Sequence, residues 1–208
     1  MSTAAGDAPS LFQRPVPSGT AAVAIGASAG GVDALLQLFS GLPPQFRLPL
    51  VAVLHLPEDR HSRLADVFSQ RLALQVREAR SGEPIQPGTL YFAPPSYHLQ
   101  VEPDQSFSLS CDGPVHFSRP SIDVLLESAA HAYGRRLAAM LLTGASADGA
   151  AGLAAVAARG GFTAVQDPAE ARIDTMPEAA IALRRPDRVL PLRALRQLLV
   201  ELDRTSSC

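Results

Sequence analysis

Cysteine is scarce in this chain. Cys111 and the terminal Cys208 are the only two, too few for a disulfide framework, and neither sits in a cluster with metal-ligand spacing. That usage fits a reducing cytoplasm, and cytoplasmic localisation is the expectation. No apolar run reaches the ~18 residues a membrane span needs, and no charged, apolar, small-residue signal layout opens the chain. An excess of either charge is lacking too. The formal net charge is −2 with acidic and basic residues interspersed, which argues against nucleic acid and against a membrane surface as partners. The glycine turn near residue 26 has neither a Walker lysine nor G-x-G-x-x-G spacing, which excludes the common nucleotide sites.

What is present is apolar sequence in a regular rhythm. With 208 residues and 47% hydrophobic content, the chain can bury a large core in one domain. Residues 1–20, small, polar and proline-punctuated, are expected to be a flexible lead-in. Strands are predicted at Ala21 to Ile25, Leu50 to Leu54, Leu137 to Leu142 and Phe162 to Gln166. Helices are predicted over Val32 to Phe39, Ser62 to Leu72, Asp148 to Arg159 and Leu192 to Leu202. Pro120 is placed at the first position of another helix, and Met176-Pro177 opens a further short one. In the middle, Gln75 to Ala79, Thr89 to Ala93, His98 to Val101 and Phe107 to Ser110 are split by Gly-Glu-Pro, Pro-Gly, Pro-Pro and Pro-Asp. That spacing suggests hairpins. The fold class is α/β: a doubly wound, mostly parallel sheet with helices on both faces and a short antiparallel hairpin insertion.

Chemistry is expected beyond the carboxyl ends of the parallel strands. Gly26-Ala27-Ser28-Ala29-Gly30 satisfies G-x-S-x-G between a strand and a helix, a turn that lifts a serine hydroxyl clear of the backbone. His55 closes the second strand, and Asp148 follows the strand Leu137 to Leu142. A serine, an imidazole and a carboxylate at one edge are the parts of acyl transfer. The order Ser…His…Asp is not that of the α/β-hydrolases. Each residue also has a plainer reading: a glycine-loop serine, a partly buried strand-end histidine, and an N-cap for the helix after Asp148. Ser146 is a weaker nucleophile candidate, lacking the full elbow pattern. His61, His98, His116 and His131 lack metal-ligand spacing and are read as surface or rim residues.

From Val23 to Leu183 the chain resembles the catalytic domain of the bacterial CheB-type chemotaxis receptor methylesterases, the protein-glutamate methylesterases. The carriers are Ile25-Gly26-Ala27-Ser28-Ala29-Gly30-Gly31, His55-Leu56-Pro57, Gly88-Thr89-Leu90-Tyr91-Phe92-Ala93-Pro94 and Arg119-Pro120-Ser121-Ile122-Asp123-Val124-Leu125. Leu142-Thr143-Gly144, Asp148-Gly149-Ala150-Ala151-Gly152 and Met176-Pro177-Glu178-Ala179-Ala180-Ile181 complete the set. The resemblance implies residues 21–208 as catalytic domain, Ser28 as nucleophile, His55 as general base and acid, and Asp148 as its orienting carboxylate. Ala29, Gly30 and Ala145 would line the site or the oxyanion. The implied reaction is hydrolysis of glutamyl γ-methyl esters on chemoreceptor signalling helices with release of methanol, and some members also deamidate glutamine. It needs no cofactor and no metal.

Where the family commonly carries a receiver domain, only some twenty residues precede the first strand here. The expectation is a stand-alone domain without a receiver, either constitutively active, regulated by a separate signalling protein, or part of a different signalling arrangement. Ala29, Ala145 and Ser146 stand where the family usually has Thr, Met and Gly. Two other readings stay open: a serine esterase or amidase of the same fold acting on another substrate, and a silent docking module.

Overall fold

The computed structural model describes residues 14–55 and 63–206. Seven strands form one sheet: β1 (Ala22–Ala27), β2 (Leu50–Leu54), β3 (Gln75–Glu78), β4 (Thr89–Phe92), β7 (Leu137–Leu141), β8 (Phe162–Gln166) and β9 (Arg188–Leu190). Every hydrogen-bonded pair in it is parallel, in the order β3-β4-β2-β1-β7-β8-β9. β5 (His98–Val101) and β6 (Phe107–Ser110) make a separate antiparallel hairpin.

Period-two alternation sorts the strand side chains to two faces. Val23, Ile25 and Ala27 of β1 join one core, covered by α1 (Gly31–Phe39), α2 (Leu64–Ser69) and α6 (Leu192–Ser206). Ala22 and Ala24 join the other, covered by α3 (Ile122–Tyr133), α4 (Ala150–Ala158), α5 (Thr175–Leu183) and the hairpin. Every residue of β1, β2, β4, β7 and β8 is buried, as continuous apolar strands between two helical layers require. Leu35 of α1 and Leu199 of α6 are fully buried, so truncating either to Ala costs about 2–5 kcal/mol.

Four local expectations are corrected. β3 and β4 are not hairpin strands: they pair in parallel in the main sheet, with β3 at its edge. Their connection instead hydrogen-bonds to the hairpin, through Gly82 N–H to Phe107 O and Ile85 N–H to Gln105 O. Pro120 does not open α3; Ser121, in extended conformation, is its N-cap and accepts from Val124 N–H at 3.5 Å. The helix after Asp148 starts only at Ala150, with Gly149 as its N-cap. The helix predicted from Ser62 is confined to Leu64–Ser69 among the described residues.

The last residues of the lead-in contact the domain. The Arg14 guanidinium donates to the carbonyls of Gly160 and Gly161, both at 2.8 Å, and lies 3.7 Å from Asp187. Gly19 N–H reaches Thr205 O. These contacts fall at the amino ends of the strands, opposite the edge described next. Residues 1–13 lie outside the described residues. Among the described residues, no helix is long and apolar enough to cross a membrane.

Candidate functional site

The last register pair of β1 and β2 is Ala27↔Leu54, and His55 N–H donates to Ala27 O at 3.1 Å. Ser28 and His55 are therefore adjacent, each one residue past the carboxyl end of its strand. On the other flank of β1, Ser28 N–H donates to Thr143 O at 2.9 Å. The loop after β7 is thereby tied to the serine turn. Gly30, at φ +81°, takes the left-handed conformation that starts α1 straight after the serine, which a side chain would strain.

Thr143 fixes this corner. Its hydroxyl lies 2.9 Å from Ala29 O and 3.1 Å from Ile173 O, and accepts from Ile173 N–H at 2.9 Å. Gly144 lets three pieces of chain meet. A Cβ there would stand 2.6 Å from Met176 Cε and 2.9 Å from Ser28 Cβ. Ala29 and Ala145 are exposed on the rim and Gly30 is half-buried. Neither Ala29 N–H nor Gly30 N–H has a hydrogen-bond partner among the described residues, so both can serve an incoming oxyanion.

Asp148 is fully buried and accepts hydrogen bonds on both oxygens. Oδ1 takes Ser121 Oγ–H at 2.8 Å and Asp123 N–H at 3.0 Å; Oδ2 takes Ile122 N–H at 2.7 Å and His55 Nε2 at 2.8 Å. Burial alone raises the carboxyl pKa, but the hydrogen bonds from His55, Ile122, Asp123 and Ser121 together outweigh it and hold it below the ordinary value. Asp148 is thus an anion whose structural partner is the N-terminus of α3, not the helix that follows it.

With Nε2–H donating to this carboxylate, Nδ1 is the ring nitrogen left with a lone pair. The expected Ser28–His55 hydrogen bond is not formed among the described residues. Nδ1 instead faces Ser118 Oγ at 3.4 Å, beyond good hydrogen-bond length. Apo sites are often loose in this way. Ser121 and Thr143 lie in motifs that carry the family resemblance, but neither they nor Ser118 has a role that the sequence reveals, because lone hydroxyl residues carry no spacing signal. Ser146 Oγ accepts from Asp148 N–H at 3.4 Å, a loop contact.

The other histidines divide. His98, expected on the rim, is buried; Nδ1 accepts from Ser121 N–H at 3.1 Å and Nε2 donates to Gly113 O at 3.0 Å. It therefore braces the loop before α3. His116 lies 3.4 Å from Asp123, whose pKa burial raises, and His131 is exposed beside Arg159. His61 lies outside the described residues.

The sequence profile described as CheB methylesterase matches residues 23–199. The chain belongs to this family. An Anaeromyxobacter dehalogenans protein named protein-glutamate methylesterase/protein-glutamine glutaminase 2 is 42% identical over 182 residues, covering 88% of this chain and 53% of that protein. A Leptospira interrogans protein, provisionally given the same two activities in its name, is 40% identical over 185 residues, covering 89% of this chain and 96% of its own. The crystal structure of the Thermotoga maritima CheB methylesterase catalytic domain superposes with a TM-score of 0.82 at 33% identity, over 86% of this chain and 97% of that one. The mostly parallel sheet, its flanking helices and the small antiparallel hairpin are the family's catalytic-domain fold.

Proposed function

We propose that this protein is a cytoplasmic serine hydrolase that demethylates glutamyl γ-methyl esters on the signalling helices of chemoreceptors. Residues 21–208 form its catalytic unit, and activity on receptor glutamine accompanies demethylation. The observation that carries this reading is the His55 Nε2–Asp148 Oδ2 contact of 2.8 Å beside the Ser28 turn, in a chain of the CheB methylesterase family.

In the proposed mechanism, Ser28 Oγ attacks the ester carbonyl and gives its proton to His55 Nδ1. Asp148 stabilises the imidazolium through Nε2–H. The oxyanion sits against the N–H groups of Ala29 and Gly30, beside Ala145. Collapse expels methoxide, which takes the Nδ1 proton and leaves as methanol. Water, deprotonated at Nδ1, then attacks the acyl-enzyme and frees glutamate and Ser28. The ring works in reverse of the arrangement in which Nδ1 meets the carboxylate, so Nδ1 carries the proton.

The test is methanol release from a methyl-labelled receptor cytoplasmic fragment. Wild-type protein is expected to release it, and Ser28→Ala to lose nearly all activity. Labelling of Ser28 by a fluorophosphonate without methanol release would favour a different ester or amide substrate. Neither labelling nor release would mean a silent module. We further propose that control comes from a separate signalling protein; adding a chemotaxis-pathway lysate at fixed enzyme and finding the rate unchanged would count against it.

A further inference from the structure

Between β6 and α3 the chain forms a strap that borders His55 through Ser118. Its ends are latched: the Arg119 guanidinium donates to Cys111 O at 3.0 Å and Asp112 O at 3.1 Å, and His98 holds Gly113 O. Its tip is a two-residue turn closed by paired backbone hydrogen bonds, Val115 N–H to Ser118 O at 3.1 Å and Ser118 N–H to Val115 O at 2.9 Å. Both central residues have positive φ, His116 at 48° and Phe117 at 61°. Tight turns of that kind take Asn-Gly or Gly-Gly, because a side chain at positive φ is strained.

Here the second position holds a phenylalanine that is 100% exposed. Its neighbour Ser118 sits 3.4 Å from the reacting nitrogen of His55, and His116 ties the tip to Asp123 at 3.4 Å. A strained turn that presents a bare aromatic ring, next in sequence to the serine facing His55 and braced on both sides, is built to offer that ring outward. A second apolar side chain, Val32, is 36% exposed in the first turn of α1, just beyond the Ser28 turn.

We propose that Phe117 is a substrate-docking residue: it seats on the apolar side of the helical protein segment carrying the ester and makes the enzyme select protein esters over small ones. This rests on the receptor-methylesterase reading above. A polypeptide that presents an ester to Ser28 must pass the strap, because Ser118 borders the same imidazole. Aromatic side chains, phenylalanine among them, are enriched at protein interfaces, where they become buried on binding. Phe117 touches no reacting atom, so its effect falls on binding and not on chemistry.

The experiment measures kcat and KM on two substrates, a methylated receptor fragment and N-acetyl glutamate γ-methyl ester, for wild type, Phe117→Ala, Phe117→Gly and Phe117→Leu. On the receptor fragment, Phe117→Ala and Phe117→Gly are expected to lose about tenfold or more in kcat/KM, mainly through KM. Phe117→Leu should recover part of the loss, and the small ester should be cleaved within about twofold of wild type by all of them. Phe117→Gly is informative because it relaxes the turn, so poor folding cannot explain its loss. Equal losses on both substrates, or no loss on the receptor fragment, would overturn the docking role. Wild-type protein that cleaves the small ester but not the receptor would overturn the receptor reading itself, and this role with it.

Discussion

Replacing Asp148 by Asn tests stability and catalysis in one substitution. The carboxylate accepts from four donors: Ser121 Oγ–H and Asp123 N–H on Oδ1, and Ile122 N–H and His55 Nε2–H on Oδ2. An amide keeps one acceptor and puts an NH2 group in the other position. The Ser121 hydroxyl can rotate to accept and His55 can change tautomer, but a backbone N–H can do neither. Either orientation therefore leaves one N–H of the first turn of α3 facing a donor, at a cost of about 1–3 kcal/mol. Loss of the anion at that helix end adds about 0.3–1 kcal/mol. For a domain of this size the melting temperature should fall by roughly 3–15 °C. With NH2 toward His55, Nε2 becomes the acceptor and Nδ1 carries the proton, so the nitrogen proposed to take the Ser28 proton is blocked and the rate should fall by up to about 10⁴. With NH2 toward Ser121 the tautomer survives, but the imidazolium loses its counter-charge, for a smaller loss of about 10². Methanol release and a thermal melt on the same preparation read both effects. Activity within about tenfold of wild type, or an unchanged melt, would refute the assignment of Asp148 to both roles.

The pKa of Asp148 is lowered in the folded protein, so the stability it contributes is full above its ordinary value of 3.8 and is lost as pH falls through the depressed one; urea midpoints should fall more steeply on acidification in wild type than in Asp148→Asn. Asp123 acts in the opposite sense, because burial raises its pKa and ionising it costs stability as pH rises. The stability of Asp123→Asn relative to wild type should therefore improve from acid toward neutral pH. Gly144→Ala places a methyl 2.6 Å from Met176 Cε and 2.9 Å from Ser28 Cβ, and displacing the serine should lower kcat by about 10–100-fold in steady-state assays while the melt moves only a few degrees. Removing residues 1–13 should leave kcat/KM within about twofold, since the chain that follows them is docked at the edge opposite Ser28. Arg14→Ala should instead destabilise the domain by about 1–2 kcal/mol in urea unfolding without slowing hydrolysis, because two carbonyl contacts and an ion pair with Asp187 are lost.

The parts of the fold that could be read from the sequence are those in which local pattern and final environment agree. Leu50 to Leu54 is apolar throughout and becomes a strand buried on both faces; the leucines of α6 repeat at helical spacing and all turn inward. β3 and β4 misled for a physical reason. A parallel pair normally needs a crossover of a dozen or more residues, and only residues 79–88 lie between them, punctuated by the Gly and Pro of a turn. The connection works because it need not form a helix: it runs beside β6 and takes its hydrogen bonds there, including the bridge Pro84↔Ser106. No local pattern reports a partner some twenty residues further along the chain.

The site divides along the same line. That Ser28 and His55 lie at one edge of the sheet follows from strand ends in a parallel sheet, which periodicity suggests; that they are neighbours follows from β1 pairing with β2. Which ring nitrogen meets the carboxylate does not, because it depends on where Asp148 is held, and Asp148 is held by Ser121, Ile122 and Asp123. Those donors are the unsatisfied start of α3, a helix 26 residues earlier in the chain. Read locally, Asp148 caps its own helix; in the structure Gly149 starts that helix and frees the carboxylate to turn back. His55, the proposed base, is therefore oriented by the same bonds that dock α3 on the sheet, so in the proposed mechanism catalytic geometry and packing cannot be altered independently at this position. A substitution that loosens the first turn of α3, such as Ser121→Ala, should thus reach His55 through Asp148 without touching the substrate.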